Sequence, residues 1–455
     1  MYRLTLSNEQ TTLSRATAIQ TILYKLSVNE YACIIFFVKK RVFLLILDGL
    51  RWDLFGEEMP ALDSIATNGV RAEWMDPIWP TMSTPSMFSM VTGLYPESHG
   101  VLHNLAFDPV NKTISDGYLD TLNMTWWFNT GAEPMWVTVE KQGLKAGTYM
   151  YPGGNVPIDG IMSTKNMPHS RWARDEYNLT TRLDQVFEWF VEDNIDFACM
   201  QIEFPDNALH TFGIGKGPVL DNIKEVNDAV AHLLHRIEDT WLADELNLLI
   251  VSDHGHVEQD RDKHVALYDY IDDSDVDFVV ADYGPIFLMV PVNGTLDQLY
   301  DTLVDAHPSL QVYKKEDFPE RFHYANHPRA LPLLGYVDAN WNLCTTFKPI
   351  LVTQSDHGYD NDIMVMKSVF YAQGPSFKKG YLAKHFESIN IYQMMCDILD
   401  LEAKPNNGSR SSYSDMFEDG GGNGALILHG ATNIWIMLLL STMAYIVMNR
   451  DFWAN

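Results

Sequence analysis

The sequence predicts an α/β fold built on a mostly parallel sheet, and three features carry that expectation. Phe43–Leu47 is a continuous apolar run, the pattern of a strand buried on both faces. Amphipathic helices then alternate with apolar strands. Leu183, Val186, Phe187 and Phe190 fall at helical spacing before the run Asp196–Glu203, and Ile223, Val226, Val230, Leu233 and Ile237 precede Leu246–Val251. Such alternation puts helices on both faces of a parallel sheet. Finally, Asp48, Asp206 and Asp253 lie at or just past the ends of three of these runs, where open α/β sheets place their sites.

The chain of 455 residues has room for one large α/β domain or two smaller ones. At 46% hydrophobic and 12% aromatic, it can fill a core and is unlike a disordered composition. Its formal charge of −28 argues against polymeric nucleic acid as a partner, because no basic surface is available to displace counterions. A small anionic substrate stays open, since bound divalent cations invert the local field. None of the four cysteines forms a CxxC pair, which argues against a structural zinc knuckle. Cys199 reads as a free core thiol, and Cys344 with Cys396 are either bridged or free. Sequons at Asn111, Asn123, Asn178, Asn293 and Asn407 are expected glycosylation sites and point to a secreted or luminal domain.

Residues 1–40 form an N-terminal segment. Its apolar run Tyr31–Val38 is too short to span a bilayer and is a poor signal sequence, because its charges follow the apolar part. The other reading is that it enters the first strand. Pro60 opens a helix through Asn68, with Gly69 as its stop. Ser83-Thr84-Pro85 reads as a loop feeding a helix that begins near Pro85, which brings the Ser83 hydroxyl to a helix N-terminus. Residues 256–345 are less regular and are expected to be a peripheral insertion. The pattern returns at Phe347–Val352, at Ser368–Tyr371 and in a helix near Ile391–Leu399. The main domain is thus placed at 41–417, a glycine-rich linker at 418–430, a transmembrane helix at 431–448 and a short tail at 449–455. Arg450 puts the tail on the cytoplasmic side. A buried helix and a glycolipid-anchor signal are the alternatives for the same apolar segment.

A divalent metal that activates an alkoxide needs hard or borderline ligands, mainly Asp and His. Asp206 and His210 have the DxxxH spacing, which puts both on one face if a helix starts there. Ser252-Asp253-His254-Gly255 follows an apolar strand, and Ser355-Asp356-His357-Gly358 repeats its form. Each motif alone is a weak signal, with an ordinary capped turn as its bland reading. Together, each after a strand-like run, they are hard to explain as solvated loops. Ser83 is read as a nucleophile beside a metal that Asp48 helps to hold.

These residues carry a resemblance. Thr92–Gly100 (TGLYPESHG), Asn104, Asp108-Pro109, Glu203–Asp206, Ser252–Gly255, His357–Asp360 and Pro405–Ser409 match the ectonucleotide pyrophosphatase/phosphodiesterase family of the alkaline-phosphatase superfamily. The match spans roughly residues 41–417. The resemblance implies an alkaline-phosphatase-like three-layer α/β/α sandwich and two Zn2+ ions. Carried over, Asp48, Ser83, Asp253 and His254 hold one ion, and Asp206, His210 and His357 hold the other. Ser83 would form a covalent intermediate that water resolves, and Asn104 would donate a hydrogen bond to a phosphoryl oxygen.

Two departures stand out. Most members carry threonine at the position of Ser83; Thr84 and then Thr81 are the next candidates if the register differs. The family usually has an aromatic residue at the position of Thr84, which leaves base stacking to others such as Tyr149 or Tyr151, unless these are core residues. His256 and His99 receive no ligand role and are read as outer or surface histidines.

The resemblance implies a zinc phosphodiesterase at the plasma membrane, single-pass with its catalytic domain outside. It would split nucleotide or dinucleotide substrates to nucleoside 5′-monophosphates. A choline- or lipid-phosphodiesterase is the alternative within the superfamily. A sulfatase is disfavoured because Met87 stands where that signature has arginine. A catalytically inactive adhesion or receptor protein is the alternative of another class.

Overall fold

Strand β1 (Arg41–Leu47) has every residue buried and lies inside an eight-stranded sheet. The other strands are β2 (Val70–Ala72), β3 (Ala146–Tyr149), β4 (Lys165–Met167), β5 (Phe197–Ile202), β6 (Leu246–Val251), β7 (Phe370–Gln373) and β8 (Tyr381–Ala383). Their order across the sheet is β4-β3-β5-β1-β6-β7-β2-β8. This computed structural model describes residues 39–56, 58–169, 178–346 and 353–418, with the backbone of four short strands outside them.

Strands β4, β3, β5, β1 and β6 run parallel, whereas β7 is antiparallel to both neighbours. The sheet is therefore mixed. The predicted strand Ser368–Tyr371 starts two residues later, and its direction was not legible from an apolar run that reads the same both ways. Ile202 pairs with Leu47 and Val251 with Ile46, so β5, β1 and β6 end together. That register brings the residues following each strand to one edge of the sheet.

The side chains of β1 alternate between two cores. Val42, Leu44 and Ile46 pack with helices α2 (Ser83–Thr92) and α6 (Asn390–Leu399), through Met87, Val91, Ile391 and Met395. Phe43, Leu45 and Leu47 pack with α1 (Pro60–Asn68), α3 (Leu179–Val191) and α5 (Gly217–Glu238). Helices therefore cover both faces, as the alternation predicts, and each fully buried aliphatic side chain contributes about 1.5–3 kcal/mol.

Several local expectations change. Helix α2 begins at Ser83 rather than near Pro85, with extended Met82 as its N-cap. Pro85 sits inside the first turn, where its missing N–H is not needed. Gly69 follows α1 as expected, but its φ of −154° is extended. Its reason is space: a Cβ there would lie 2.1 Å from the carbonyl oxygen of Ala372 on β7.

The insertion is more regular than its sequence suggests. Val276–Val280, Ile286–Pro291, Leu333–Val337 and Leu310–Lys314 form a four-stranded antiparallel sheet in that order. Its own core includes Phe287, Met289, Leu299 and Leu303. A rule that looks for strands alternating with helices is blind to strands joined directly to strands.

The main unit runs over Lys40–Gly422, and residues Met1–Lys39 with Asn423–Asn455 form a second unit. In that second unit Leu26–Val28 pairs with Tyr31–Cys33, and Ile35–Phe37 with Ala425–Ile427, both antiparallel. The apolar run at Tyr31–Val38 thus holds two short strands, and β1 begins at Arg41. Among the described residues no helix is long and apolar enough to cross a membrane. The expected strand at 347–352, the span at 431–448 and the tail at 449–455 lie outside the described residues. Cys199, Cys344 and Cys396 are buried free thiols. All five sequon asparagines are exposed, and Asn178 also caps α3 by accepting from Thr181 N–H.

Gly69→Ala should destabilise the main unit by about 1–3 kcal/mol, because backbone meets the new methyl group. A denaturation midpoint equal to that of the unaltered chain would show that β7 can move away.

Candidate metal centre

The aspartates and His254 sit where strands of the sheet end. Asp48 directly follows β1, and Gly49 turns the chain at φ +74°. Asp206 opens helix α4 (Asp206–Phe212) just past β5, with His210 one turn later. Asp253 and His254 follow β6. His357 arrives from the segment after the insertion. The shared strand register of β5, β1 and β6 makes these groups converge.

The imidazoles are oriented by backbone carbonyls. His210 Nδ1 is 2.9 Å from Ser355 O, His254 Nδ1 is 3.1 Å from Gly255 O, and His357 Nδ1 is 2.8 Å from Thr81 O. A carbonyl only accepts, so each Nδ1 carries a proton and each Nε2 faces the centre.

Around Asp206 Oδ1, His210 Nε2 lies at 3.2 Å and His357 Nε2 at 3.5 Å. Around His254 Nε2, Asp253 Oδ2 lies at 3.3 Å, Ser83 Oγ at 3.3 Å and Asp48 Oδ1 at 3.5 Å. A tetrahedral ion with bonds of about 2.0–2.2 Å sets its neighbouring donors about 3.3 Å apart. These five separations are therefore what ligands around a small cation need. The stacked rings of His254 and His357, 3.6 Å between centroids, join the two groups.

The electrostatics agree. Asp48 Oδ1 and Asp253 Oδ2 are buried and accept no hydrogen bond. Burial, then the charges of Asp253 and Asp206, hold the Asp48 carboxyl well above its ordinary range. Burial also raises Asp253. For Asp206 burial acts the same way, but His210 and hydrogen bonds from His210 and His256 outweigh it and hold the carboxyl well below its usual value. His210 is resisted by burial yet pushed up to about 9, chiefly by Asp206. Burial, with His254 close by, lowers His357 well below the usual imidazole value. Unpartnered buried carboxylate oxygens beside inward-facing imidazole nitrogens are a donor set for a divalent cation.

The three hydroxyls differ in placement. Ser83 is the first residue of α2, is 5% exposed and reaches His254. Thr81 Oγ1 instead donates to Tyr359 O and accepts from Gly358 N–H. Thr84 Oγ1 is buried without a hydrogen-bond partner. Asn104 is buried beside them, and its Oδ1 accepts from Thr84 N–H at 2.8 Å. A cavity of ≈470 Å³ opens over the cluster, lined by Ser83, Asn104, Asp206, His210 and His357 and by Asp116, Tyr118, Asp120 and Tyr283.

Tyr149 packs on Trp189, and Tyr151 donates to Met87 O, so both are core residues, the favoured reading for them, and neither lines the cavity. Tyr118 and Tyr283 do, and nothing in their sequence surroundings marks them. His99 is fully buried, with Nε2 2.8 Å from Ser89 Oγ, and is no surface residue. His256 is likewise fully buried, and its contact with Asp206 fits the outer of the two places expected for it. Gln201, which donates to Asp48 Oδ2, was legible in principle as the one amide in the apolar strand Phe197–Ile202.

This geometry defines a hydrolase of the metal-dependent kind, with a hydroxyl beside a paired donor set. The family model for "Type I phosphodiesterase / nucleotide pyrophosphatase" matches residues 42–360. Ectonucleotide pyrophosphatase/phosphodiesterase family member 7 of Mus musculus is 37% identical over 388 residues, covering 84% of this chain and 88% of the relative. The bis(5'-adenosyl)-triphosphatase of Xenopus laevis is 32% identical over 376 residues, 82% of this chain and 80% of that protein. Among solved structures, murine ectonucleotide pyrophosphatase/phosphodiesterase 5 aligns with a TM-score of 0.78 at 29% identity. The alignment covers 84% of this chain and 100% of that one, an inactive threonine-to-alanine variant in complex with AMP. The chain belongs to the type I phosphodiesterase/nucleotide pyrophosphatase family and is a metal-dependent hydrolase of that class.

In the metal-free protein a proton on His210 must leave before its Nε2 can bind a cation. Its pKa of about 9 lies above neutrality. The apparent zinc affinity of the stripped chain should therefore rise about tenfold per pH unit up to about pH 9 and then level off. Chelator-buffered titrations at several pH values measure this, and an affinity flat between pH 7 and 9 would remove the Asp206–His210 ion pair from the account.

Proposed function

We propose that this chain is a cell-surface zinc phosphodiesterase acting on extracellular nucleotides through a covalent Ser83 intermediate. One observation carries the reading: the Ser83 hydroxyl stands at a helix N-terminus, 3.3 Å from His254 Nε2, at the edge of donors spaced for small cations.

Asp48, Ser83, Asp253 and His254 would hold one zinc ion, and Asp206, His210 and His357 the other. Bound there, the ions would lower the hydroxyl's pKa and neutralise charge on the phosphoryl oxygens. The Ser83 oxygen attacks phosphorus in line, and the bond to the leaving oxygen breaks on the opposite side. The serine proton passes to solvent. Water then attacks the same phosphorus, restores Ser83 and releases a nucleoside 5′-monophosphate. Asn104 has its Oδ1 occupied by the first turn of α2, which leaves its amide N–H groups to donate to a phosphoryl oxygen. The N-terminus of the ten-residue helix α2 favours the same negative charge.

The nucleotide reading is supported by the family and by the AMP complex of a similar protein whose inactive form lacks one threonine hydroxyl. A second reading, a choline-type phosphodiester substrate, is favoured by the cavity rim. Asp116 and Asp120 flank Tyr118 there, while Thr84 offers no aromatic clamp. Carboxylates around an aromatic ring suit a quaternary ammonium group. Surface location is supported by the five exposed sequons and the apolar segment at 431–448, which would anchor a domain spanning 41–417 through a linker at 418–430.

Ser83→Ala should lower turnover about a thousandfold or more with an unchanged melting temperature, and Ser83→Thr should keep much of it. Turnover surviving in Ser83→Ala would sink the nucleophile assignment. Chelation should abolish activity, and zinc should restore it. A chain that carries no metal and turns over nothing would instead support an adhesion role. Rates on a dinucleotide, a choline phosphodiester and an aryl sulfate, measured side by side, choose the substrate class.

A further inference from the structure

His256 stands just after the Ser252–Gly255 motif and is fully buried. Its Nε2 is 2.8 Å from Asp206 Oδ1, and its Nδ1 is 3.2 Å from Ser355 Oγ. The ring is pressed on Gly49, where a Cβ would lie 2.9 Å from both its Cδ2 and its Nε2. Distance separates it from the other imidazoles around Asp206. His210 and His357 stand at 3.2 and 3.5 Å, close to the spacing of two ligands on one small cation. At 2.8 Å, His256 has the shorter spacing of a charge-assisted N–H···O bond. An ionised carboxylate only accepts, so Nε2 carries the proton, and the Ser355 hydroxyl donates to the bare Nδ1.

We propose that His256 is a positioning residue for Asp206. Its Nε2–H fixes the rotation of that carboxylate toward the cation shared with His210 and His357, and it leaves the Asp48–Asp253–His254 site alone. Ser355 sets the tautomer. It lies two residues before His357, and Val257–Glu258 pairs antiparallel with Ser355–Asp356. The ring therefore ties the segment after β6 to the segment that delivers His357, so that Asp206 and His357 are held as one unit. Orientation of a ligand by such an outer hydrogen bond changes metal affinity by about 10–100-fold.

The proposal rests on the two-zinc reading, and one experiment tests them separately. The full chain is stripped with a chelator and titrated with zinc against a chromophoric competitor, with ion content read by atomic spectroscopy. The unaltered chain should bind two ions. His256→Ala should weaken one of them about 10–100-fold and leave the other unchanged, while His256→Gln, which keeps a donor, and Ser355→Ala should lose less. The proposal is overturned if His256→Ala keeps both affinities or weakens both alike. It is also overturned if His256→Gln falls as far as His256→Ala, the result expected of a direct ligand. Should His256→Ala fail to melt cooperatively, Ser355→Ala decides: a few-fold loss at one ion supports the proposal, and no loss overturns it. Fewer than two ions on the unaltered chain removes the two-zinc reading and this proposal together, whereas two ions with an unaffected His256→Ala removes this proposal alone.

Discussion

Three buried carboxylates, Asp48, Asp206 and Asp253, are brought to the same edge of one sheet, and the rest of the structure is arranged around that crowding. Burial of an ionised carboxylate without a partner is costly, and like charges side by side raise the cost further. Asp48 and Asp253 each keep one oxygen with no hydrogen bond. A fold that only needed stability would place apolar residues at these strand ends. The arrangement makes physical sense when positive charge enters between the carboxylates. The common register of β5, β1 and β6, and the carbonyl-locked rings of His210, His254 and His357, are then parts of a single device that aims its donors at one region.

The two halves of that device are chemically unequal. Around His254 the donors are two carboxylates, one imidazole and a hydroxyl. Around Asp206 they are one carboxylate and two imidazoles. The directions of the pKa shifts follow this difference: Asp48 and Asp253 are raised, and Asp206 is lowered. The hydroxyl belongs to the carboxylate-rich half, where a cation would meet the most negative charge. A cation in the other half would keep more residual positive charge, which suits a departing or entering oxygen. The stack of His254 on His357 brings the halves into contact.

Much of this was legible in the sequence. Strand-end aspartates and the spacing of Asp206 and His210 follow from the sheet and helix periods, and the structure brings Asp48, Ser83, Asp206, His210, Asp253, His254 and His357 together. The failures have physical causes. The direction of β7 is set by which neighbour it pairs with, and its residues do not encode that. The antiparallel sheet of the insertion lacks the helical spacers that make a parallel pattern visible. Tyr149 and Tyr151 belong to the core, where they meet Trp189 and Met87, so base stacking has no aromatic at either position. His256, expected as an outer or surface histidine, takes the outer place: one glycine past Asp253-His254, it reaches back to Asp206.

The substrate question turns on charge beyond the metals. On the proposed two-zinc reading, two divalent cations against three carboxylates would leave the centre slightly positive, enough to attract a singly charged diester. The cavity mouth adds the exposed carboxylates of Asp116 and Asp120, and Glu203 lies behind them paired with Arg182. The chain as a whole carries −28. A polyphosphate must bring its extra negative charge past that rim, whereas a diester with a cationic head group is drawn by it. On the proposed reading the buried side of the site would be generic to phosphoryl chemistry, and discrimination would fall to the few residues around Tyr118. Those residues lie on a surface segment, 116–120, that none of the motifs announcing the catalytic class covers. A reaction type can thus be read from strand ends while the identity of the group beyond the phosphate is written in a loop.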